Sequence, residues 1–407
     1  MKRLLILILS VLSLVSCGHK VPEALAKVSP EEAGMDSGRL SKVDSVILKG
    51  ISDGMMPGAV LCVVRGDKIA YLKSYGCRQV VPDIEEMTTD TVFDLASLSK
   101  CVGTTLCVMR LIEQGRLSPD DKVLKYIPDF APWKDPYTGE CVDITVRDLL
   151  THASGLAPYL GVQAVADRYG EPCPDSTMLY IAKEARRNFR PGTDFMYSCL
   201  NFVTLQNIVQ KITGERLCDY AQREVFDRLW LKQTCYRPAE TRPELLGRIA
   251  PTTVQEDGLP LRGVVHDPLA RRLNGGNSGN AGVFSTAEDL AVIAAAIFGE
   301  GEVGGVRLLR PETIRLMCTV PAGNAPEVGR ALGWDISSSH SHFKGSLMSP
   351  TRTLNHTGYT GTSMVLDLDS RTGVILLANR CHPTDDGSLR EVRTAVSDIV
   401  AGAVIRK

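Results

Sequence analysis

The chain has 407 residues, 44% of them hydrophobic and 23% charged, with 46 basic against 47 acidic side chains and a formal net charge of −1. That is enough apolar material for a large core or two lobes, and the missing basic field excludes nucleic acid as a main partner. Apolar residues run along the whole length, which excludes a disordered or low-complexity chain. Past the N-terminus no run approaches the ~20 apolar residues a spanning helix needs.

The first residues have the form of a signal peptide: Lys2 and Arg3, an apolar stretch from Leu4 to Val15, then Ser16-Cys17. Leu14-Val15-Ser16-Cys17 resembles the lipobox of bacterial lipoproteins. That resemblance implies removal of residues 1–16, lipidation of Cys17, and an exported protein held to a membrane by its lipid, on the periplasmic side or the cell surface. A plain secretory signal ending in cysteine is the alternative. Residues 17–34, with Pro22 and Pro30 and little apolar period, read as a tether. Twelve cysteines in an exported protein invite disulfides. No C-x-x-C occurs, however, and setting Cys17 aside leaves an odd number. Most, like Cys62 and Cys318, sit among apolar residues as small hydrophobes would, with one or two disulfides left open. The histidines do not fall beside cysteines at zinc-ligand spacing, so no metal is expected, and no cofactor. His340-Ser341-His342 reads as a solvated turn.

Apolar spacing predicts a helix from Ser37, with Leu40, Val43, Ile47 and Leu48 on one stripe. A hairpin follows: Ala59 to Val64, a turn at Arg65-Gly66-Asp67, then Lys68 to Tyr75. Helical patterns cover Lys100–Glu113, Val146–Leu150, Asn201–Ile212 and Ala287–Phe298. A second hairpin joins Met364–Asp369 to Val374–Ala378, and a helix from about Ser388 to Ile405 closes the chain. Strands at both ends with helices between predict an α+β domain over 35–405. Its sheet lobe would be built from about 35–96 and 300–405, with a mainly helical lobe of about 97–299 inserted and a cleft between them.

Ser97-Leu98-Ser99-Lys100 is an S-x-x-K string, and so is Ser341-His342-Phe343-Lys344. Only the first runs into a helical pattern, with Val102, Leu106, Met109 and Ile112 on one stripe. Ser97 then lies at the first turn, Lys100 shares its face, and the helix N-terminus favours the charge a nucleophile develops. Thr145 to Gly155 is an amphipathic turn in which His152 reads as a hydrogen-bonded packing residue, not a base. Two more strings are Tyr197-Ser198-Cys199, in a loop entering a helix, and His356-Thr357-Gly358, just before the last hairpin. Gly299 to Gly304 fits G-x-G-x-x-G, yet it follows a helix and carries two acids, so it reads as an exposed turn and not a phosphate site. No G-x-S-x-G occurs.

In this order, with His266-Asp267-Pro268, Gly279 to Leu290 and Leu332-Gly333-Trp334, the strings resemble the serine β-lactamase and penicillin-binding superfamily. The resemblance is to its class C β-lactamase-like branch (peptidase family S12) and runs from about residue 37 to 400. It implies a β-lactamase/transpeptidase-like fold, an antiparallel sheet flanked by helices. It also implies Ser97 as acyl-accepting serine, Lys100 as its partner, Tyr197 as the tyrosine of Y-x-N, and His356-Thr357-Gly358 in place of K-T-G. The oxyanion hole would be the backbone N–H groups of Ser97 and Tyr359. Two positions depart. Cys199 stands where an asparagine would grip a substrate acylamide, and His356 replaces a permanent cation, which weakens the case for β-lactam hydrolysis and leaves the acylation machinery intact.

A serine needs a base near pH 7, and lysine or tyrosine would have to fall by roughly 3 pKa units to serve. Lys100 and Tyr197 are therefore expected to share protons as a pair, with His356 orienting the network. The expected activity is cleavage of an ester or amide, of small-molecule or peptidoglycan origin, through an acyl-enzyme. Transfer of the acyl group to an alcohol or amine is one alternative, and a non-catalytic penicillin-binding module that recognises peptidoglycan is another.

Overall fold

The computed structural model describes residues 24–405. The expected signal peptide, Cys17 and the start of the tether lie outside the described residues. The main strands are β1 (Ala26–Lys27), β2 (Gly58–Arg65), β3 (Lys68–Gln79), β4 (Thr353–Thr357), β5 (Ser363–Asp367) and β6 (Thr372–Ala378). With Glu85–Glu86 on the flank of β3 they form a seven-stranded sheet in the order β1-β3-β2-β6-β5-β4. Every pairing is antiparallel except β1 with β3. The helices that matter below are α1 (Val43–Ser52), α2 (Leu106–Glu113), α3 (Val146–Leu150), α4 (Cys199–Thr213), α5 (Ala287–Phe298) and α6 (Arg390–Ala403).

The strand sequences read as nearly unbroken apolar runs because both faces of the sheet are covered. In β2, Ala59, Leu61 and Val63 pack with Ile47 of α1 and Val396 of α6. Val60, Cys62 and Val64 turn the other way, into the large core shared with α2, α4 and α5. β6 repeats the alternation: Val374, Leu376 and Ala378 on the first side, Ile375 and Leu377 on the second. Both chain ends feed this sheet lobe and meet there, since Met35 bridges to Val404 and the Ile405 N–H donates to the Gly34 carbonyl at 3.0 Å.

Side chains set the helix ends as the sequence suggests. Thr145 and Asp148 form a reciprocal capping box at α3, Ser198 caps α4, and Gly214 closes α4 in the left-handed region at φ 76°. The stretch between the two hairpins is mostly helical, and it also carries a three-stranded sheet of Phe93–Asp94, Val283–Ser285 and Cys235–Tyr236.

Several expectations need correction. The helix from Ser37 comes in two pieces, Ser37–Leu40 and α1. The helix from Lys100 opens with wide π turns over Lys100–Thr105 before α2 begins. The tether expected over 17–34 is not free in its described part. β1 hydrogen-bonds along β3, Leu25 packs on the large core, and Lys27 pairs with Glu288 at 3.0 Å. An edge strand is held by backbone groups, so its composition need not announce it. All cysteines among the described residues are free thiols.

Leu61 is fully buried under α1 and α6. Leu61→Ala should therefore cost about 2–5 kcal/mol of stability, read as a lower denaturant midpoint with the slope unchanged.

Candidate active site

Phe93–Asp94 pairs with Val283–Ser285 and then turns sharply, with Ala96 at φ 45°, a strained conformation for a residue with a Cβ. Asp94 holds that turn. Its buried carboxylate accepts the Ala96 N–H at 2.8 Å and the His266 N–H at 2.7 Å. The Leu95 N–H donates to the Val283 carbonyl at 3.0 Å, and the Ser99 hydroxyl accepts the Val283 N–H at 2.9 Å. Ser97 sits on this turn, one residue before the helix, and Lys100 comes round to the same side.

The Lys100 ammonium donates to Ser97 Oγ at 3.0 Å and to the Asn280 carbonyl at 2.8 Å, and lies 3.6 Å from Cys199 Sγ. It is 0% exposed and stands 5.1 Å from the Tyr197 ring centroid and 5.8 Å from that of Phe202. No carboxylate among the described residues forms an ion pair with it. A buried cation so placed relies on carbonyl, hydroxyl and ring faces for its stabilisation. Burial pushes the Lys100 ammonium towards losing its proton, whereas negative charge on Cys199, Tyr197 or Asp267 pulls it back, and the net direction is upward. Burial also raises the Tyr197 phenol, against the opposing Lys100 charge. Neither group is lowered as expected, so the resting pair is an ammonium beside a phenol.

His152 fixes the Tyr197 loop. Its Nδ1 accepts the Ser198 N–H at 3.1 Å, its ring packs 4.4 Å from that of Tyr197, and it is fully buried at φ 56°. With Nδ1 accepting, the ring proton sits on Nε2, which has no partner among the described residues. The ring is held neutral by burial and then by the Arg330 and Lys100 charges, as befits the packing residue expected. His356 is neutral for the same reasons, and its Nδ1 faces the Thr357 carbonyl at 2.9 Å.

β4 ends in the loop carrying Gly358 and Tyr359. Thr360 Oγ1 donates to the Asp94 carbonyl at 2.7 Å and Thr362 Oγ1 to the Leu95 carbonyl at 3.0 Å, clamping this loop to the serine turn. A Cβ at Gly358 would stand 2.1 Å from Thr362 Oγ1 and 2.3 Å from the Leu95 carbonyl, so only glycine fits. The N–H groups of Ser97 and Tyr359 have no acceptor among the described residues. Both residues line a cavity of about 290 Å³ together with Tyr197, His356, Thr357 and the buried Arg330.

A family model described as Beta-lactamase matches residues 41–397. The chain belongs to the Beta-lactamase family. A protein of Escherichia coli K12, provisionally named D-alanyl-D-alanine carboxypeptidase, is 30% identical over 94% of this chain and 92% of its own length. A Bacillus subtilis protein named N-acetylmuramyl-L-alanine amidase is 32% identical over 87% of this chain and 84% of its own. Among solved structures, EstCE1, described as a hydrolase with promiscuous acyltransferase activity, shares the fold at a TM-score of 0.70. It has 23% identity, covering 90% of this chain and 99% of that one.

For an enzyme of the β-lactamase and penicillin-binding superfamily, the structure brings Ser97, Lys100, Tyr197, Cys199, His356, Thr357 and Tyr359 to one place. The second S-x-x-K string lies in a short 3-10 turn, Ser341–Lys344. Its lysine donates to the Ile336 and Pro350 carbonyls and not to Ser341. Gly304 and Gly305 turn a small hairpin, Glu302–Val303 with Val306–Arg307. His340, read as part of a solvated turn, is exposed, yet its ring lies 5.2 Å from Phe195 and 6.1 Å from Tyr197 on the cavity wall. His266, Cys381 and Asp385 bring ligand atoms within 4.8 Å of one another, a meeting that spacing along the chain cannot show. There Asp385 is engaged by Arg380 at 2.9 Å and Tyr359 Oη at 2.8 Å, which makes the group an ion-pair cluster.

Sequence reasoning missed Asp94, Asn280, Arg330 and the two threonines. Asn280 and Arg330 sit in or beside strings already singled out, Gly279 to Leu290 and Leu332-Gly333-Trp334. That adjacency was the available signal.

Burial raises Asp94 to about 6. The folded state then holds this proton more tightly than the unfolded chain. The stabilisation that follows is full below the unfolded carboxylate pKa, near 4, and is lost as pH rises through about 6. The unfolding free energy of the native chain relative to Asp94→Asn should therefore fall between pH 4 and 6, by at most about 1.4 kcal/mol per unit. Denaturant melts of both proteins across that range check it; a flat difference would contradict the assignment.

Proposed function

We propose that this chain is a class C β-lactamase-like serine hydrolase that forms an acyl-enzyme on Ser97 and cleaves an ester or amide. The observation that carries the reading is a buried ammonium with no acid partner, held 3.0 Å from an accessible serine hydroxyl. Lys344 is a buried lysine bound by carbonyls alone, whereas Lys100 also holds a serine hydroxyl that opens on the cavity.

In the resting state the pair is protonated twice, so loss of one proton from Lys100–Tyr197 arms it. The Ser97 proton then passes to the pair as Oγ bonds to the substrate carbonyl carbon. The negative charge formed on the carbonyl oxygen is met by the Ser97 and Tyr359 N–H groups. The pair returns its proton to the departing oxygen or nitrogen, and the carbon–leaving-group bond breaks. Water then attacks the acyl carbon, giving a proton to the pair, and the pair returns it to Ser97 Oγ as the carbon–Oγ bond breaks and the acid leaves. Cys199 and Thr357 flank the acyl substrate, and neutral His356 orients the proton network without supplying charge.

The names of the two curated relatives support an amide of a cell-wall peptide as substrate class. The name of EstCE1 supports a second reading, in which an alcohol or amine takes the acyl group instead of water. A module that only recognises peptidoglycan fits poorly with a lysine buried at such cost. Export and a lipid anchor at Cys17 belong to the same proposal and would place the site outside the cytoplasmic membrane.

Intact-protein mass after mixing with p-nitrophenyl acetate, and separately with a penicillin, tests the reading. An acyl adduct should form in the native chain and in Cys199→Ala and vanish in Ser97→Ala. An adduct that survives Ser97→Ala, or none with either probe, overturns it. Because both members of the pair are shifted upward, the acylation rate should rise with pH above 7. Tyr197→Phe should lower that rate by about 10²-fold or more, measured as the burst of nitrophenol.

A further inference from the structure

The Lys100 ammonium has no carboxylate against it, yet one stands a single side chain away. The Asn280 carbonyl accepts from Lys100 at 2.8 Å, and the amide of the same residue, itself 1% exposed, donates to Asp267 Oδ1 at 3.1 Å. Asp267 is held in place by further hydrogen bonds. Oδ1 also accepts the Ala270 N–H at 2.8 Å and Oδ2 the Tyr159 hydroxyl at 3.0 Å, while Tyr159 Oη accepts the Leu269 N–H at 3.0 Å. Ser278 completes the frame by donating to Asn280 Oδ1 at 2.7 Å. Asn280 is thus held on both sides, its backbone carbonyl on Lys100 and its side-chain amide between Asp267 and Ser278.

We propose that Asp267, acting through Asn280, is the counter-charge that keeps Lys100 protonated at rest and sets the pH at which the Lys100–Tyr197 pair is armed. Asp267 touches no reacting atom and is a positioning residue. Its charge favours the Lys100 ammonium, as Cys199 and Tyr197 do once ionised. On the opposite wall the Arg330 guanidinium disfavours further positive charge, and His152 and His356 stay neutral. Around Asp267 itself, Arg271 is the nearby cation. It is committed to the Val265 and His266 carbonyls at 2.8 and 2.7 Å, while Asp94, His266 and Tyr159 complete the titratable neighbours. Asp267 is the one of these acids that hydrogen-bonds the same residue as Lys100, Asn280, by its side-chain amide while Lys100 takes its backbone carbonyl.

The inference rests on Ser97 being the acylated residue, and the measurement separates the two. The pH dependence of the p-nitrophenyl acetate burst is recorded for the native chain, Asp267→Asn and Asp267→Glu. Asn leaves Oδ1 as acceptor for the Asn280 amide and the Ala270 N–H, removes the charge, and sets an NH2 donor against the Tyr159 hydroxyl. The limb on which the rate rises with pH should then move to lower pH by roughly half a unit to one unit. Asp267→Glu should leave the limb where it is. A purely structural role would lower the rate and leave the limb unmoved in Asp267→Asn, and that result overturns the proposal. Should Asp267→Asn fail to fold, Asp267→Ser also removes the charge and keeps a hydroxyl acceptor, and the limb should again move to lower pH; no movement, or movement upward, overturns it equally. Absence of any burst in the native chain would sink the acyl-enzyme reading, whereas a burst with an unmoved limb sinks this inference alone.

Discussion

The structure turns on one expensive placement, a lysine ammonium taken wholly out of water beside a serine. In a low-dielectric interior an unpaired cation is among the costliest groups a fold can carry. The surroundings of Lys100 read as the means of meeting that cost without neutralising it. A carbonyl from the Asn280 turn, two aromatic faces and the serine hydroxyl each supply partial negative charge. A full carboxylate in contact would have been cheaper and would also have locked the proton in place.

That requirement explains why elements far apart in sequence converge here. The serine turn is stitched to Val283–Ser285, which brings Asn280 round to the lysine, and α4 delivers Cys199 and Phe202 from the other side. β4 and its loop close the remaining face, held by two threonine hydroxyls on the carbonyls of the serine turn. The sheet, buried on both sides, gives β4 a rigid base. The strained φ of Ala96 and of His152 lie on the two segments whose aim matters most, and both are fixed by buried hydrogen bonds.

Much of this was legible along the chain, and the reason differs case by case. Ser97 and Lys100 are close in sequence and share a helix face, so spacing alone joins them. The two hairpins and most helices show in apolar period, because burial acts on side chains. Tyr197, Cys199 and His356 emerge only through resemblance to a family, since nothing local marks a tyrosine before a helix or a histidine in a strand. Asp94 was silent, and Asn280 and Asp267 showed only inside strings with no role attached, for a deeper reason. They act through backbone groups or through one another, and the Lys100–Asn280 contact spans 180 positions. The edge pairing of Ala26–Lys27 and the π turns at Lys100 are likewise backbone events with no signature in side-chain pattern. The proton balance of the pair was misjudged because the shift depends on which neighbours are ionised, and that is a property of the assembled site.

The arrangement also has a history built into it. Ser97 and Lys100 belong to the first third of the chain, but the Tyr359 amide, the Thr360 and Thr362 hydroxyls and the strands that hold them arrive near its end. The last helix, α6, then lies over the sheet, and the final residues fasten against Gly34 and Met35. A chain still being synthesised therefore carries its serine and lysine without the opposite wall. The Ser97–Lys100 contact can form before the wall that faces it exists, and the cavity takes shape only once Thr353 to Ala378 has joined the sheet.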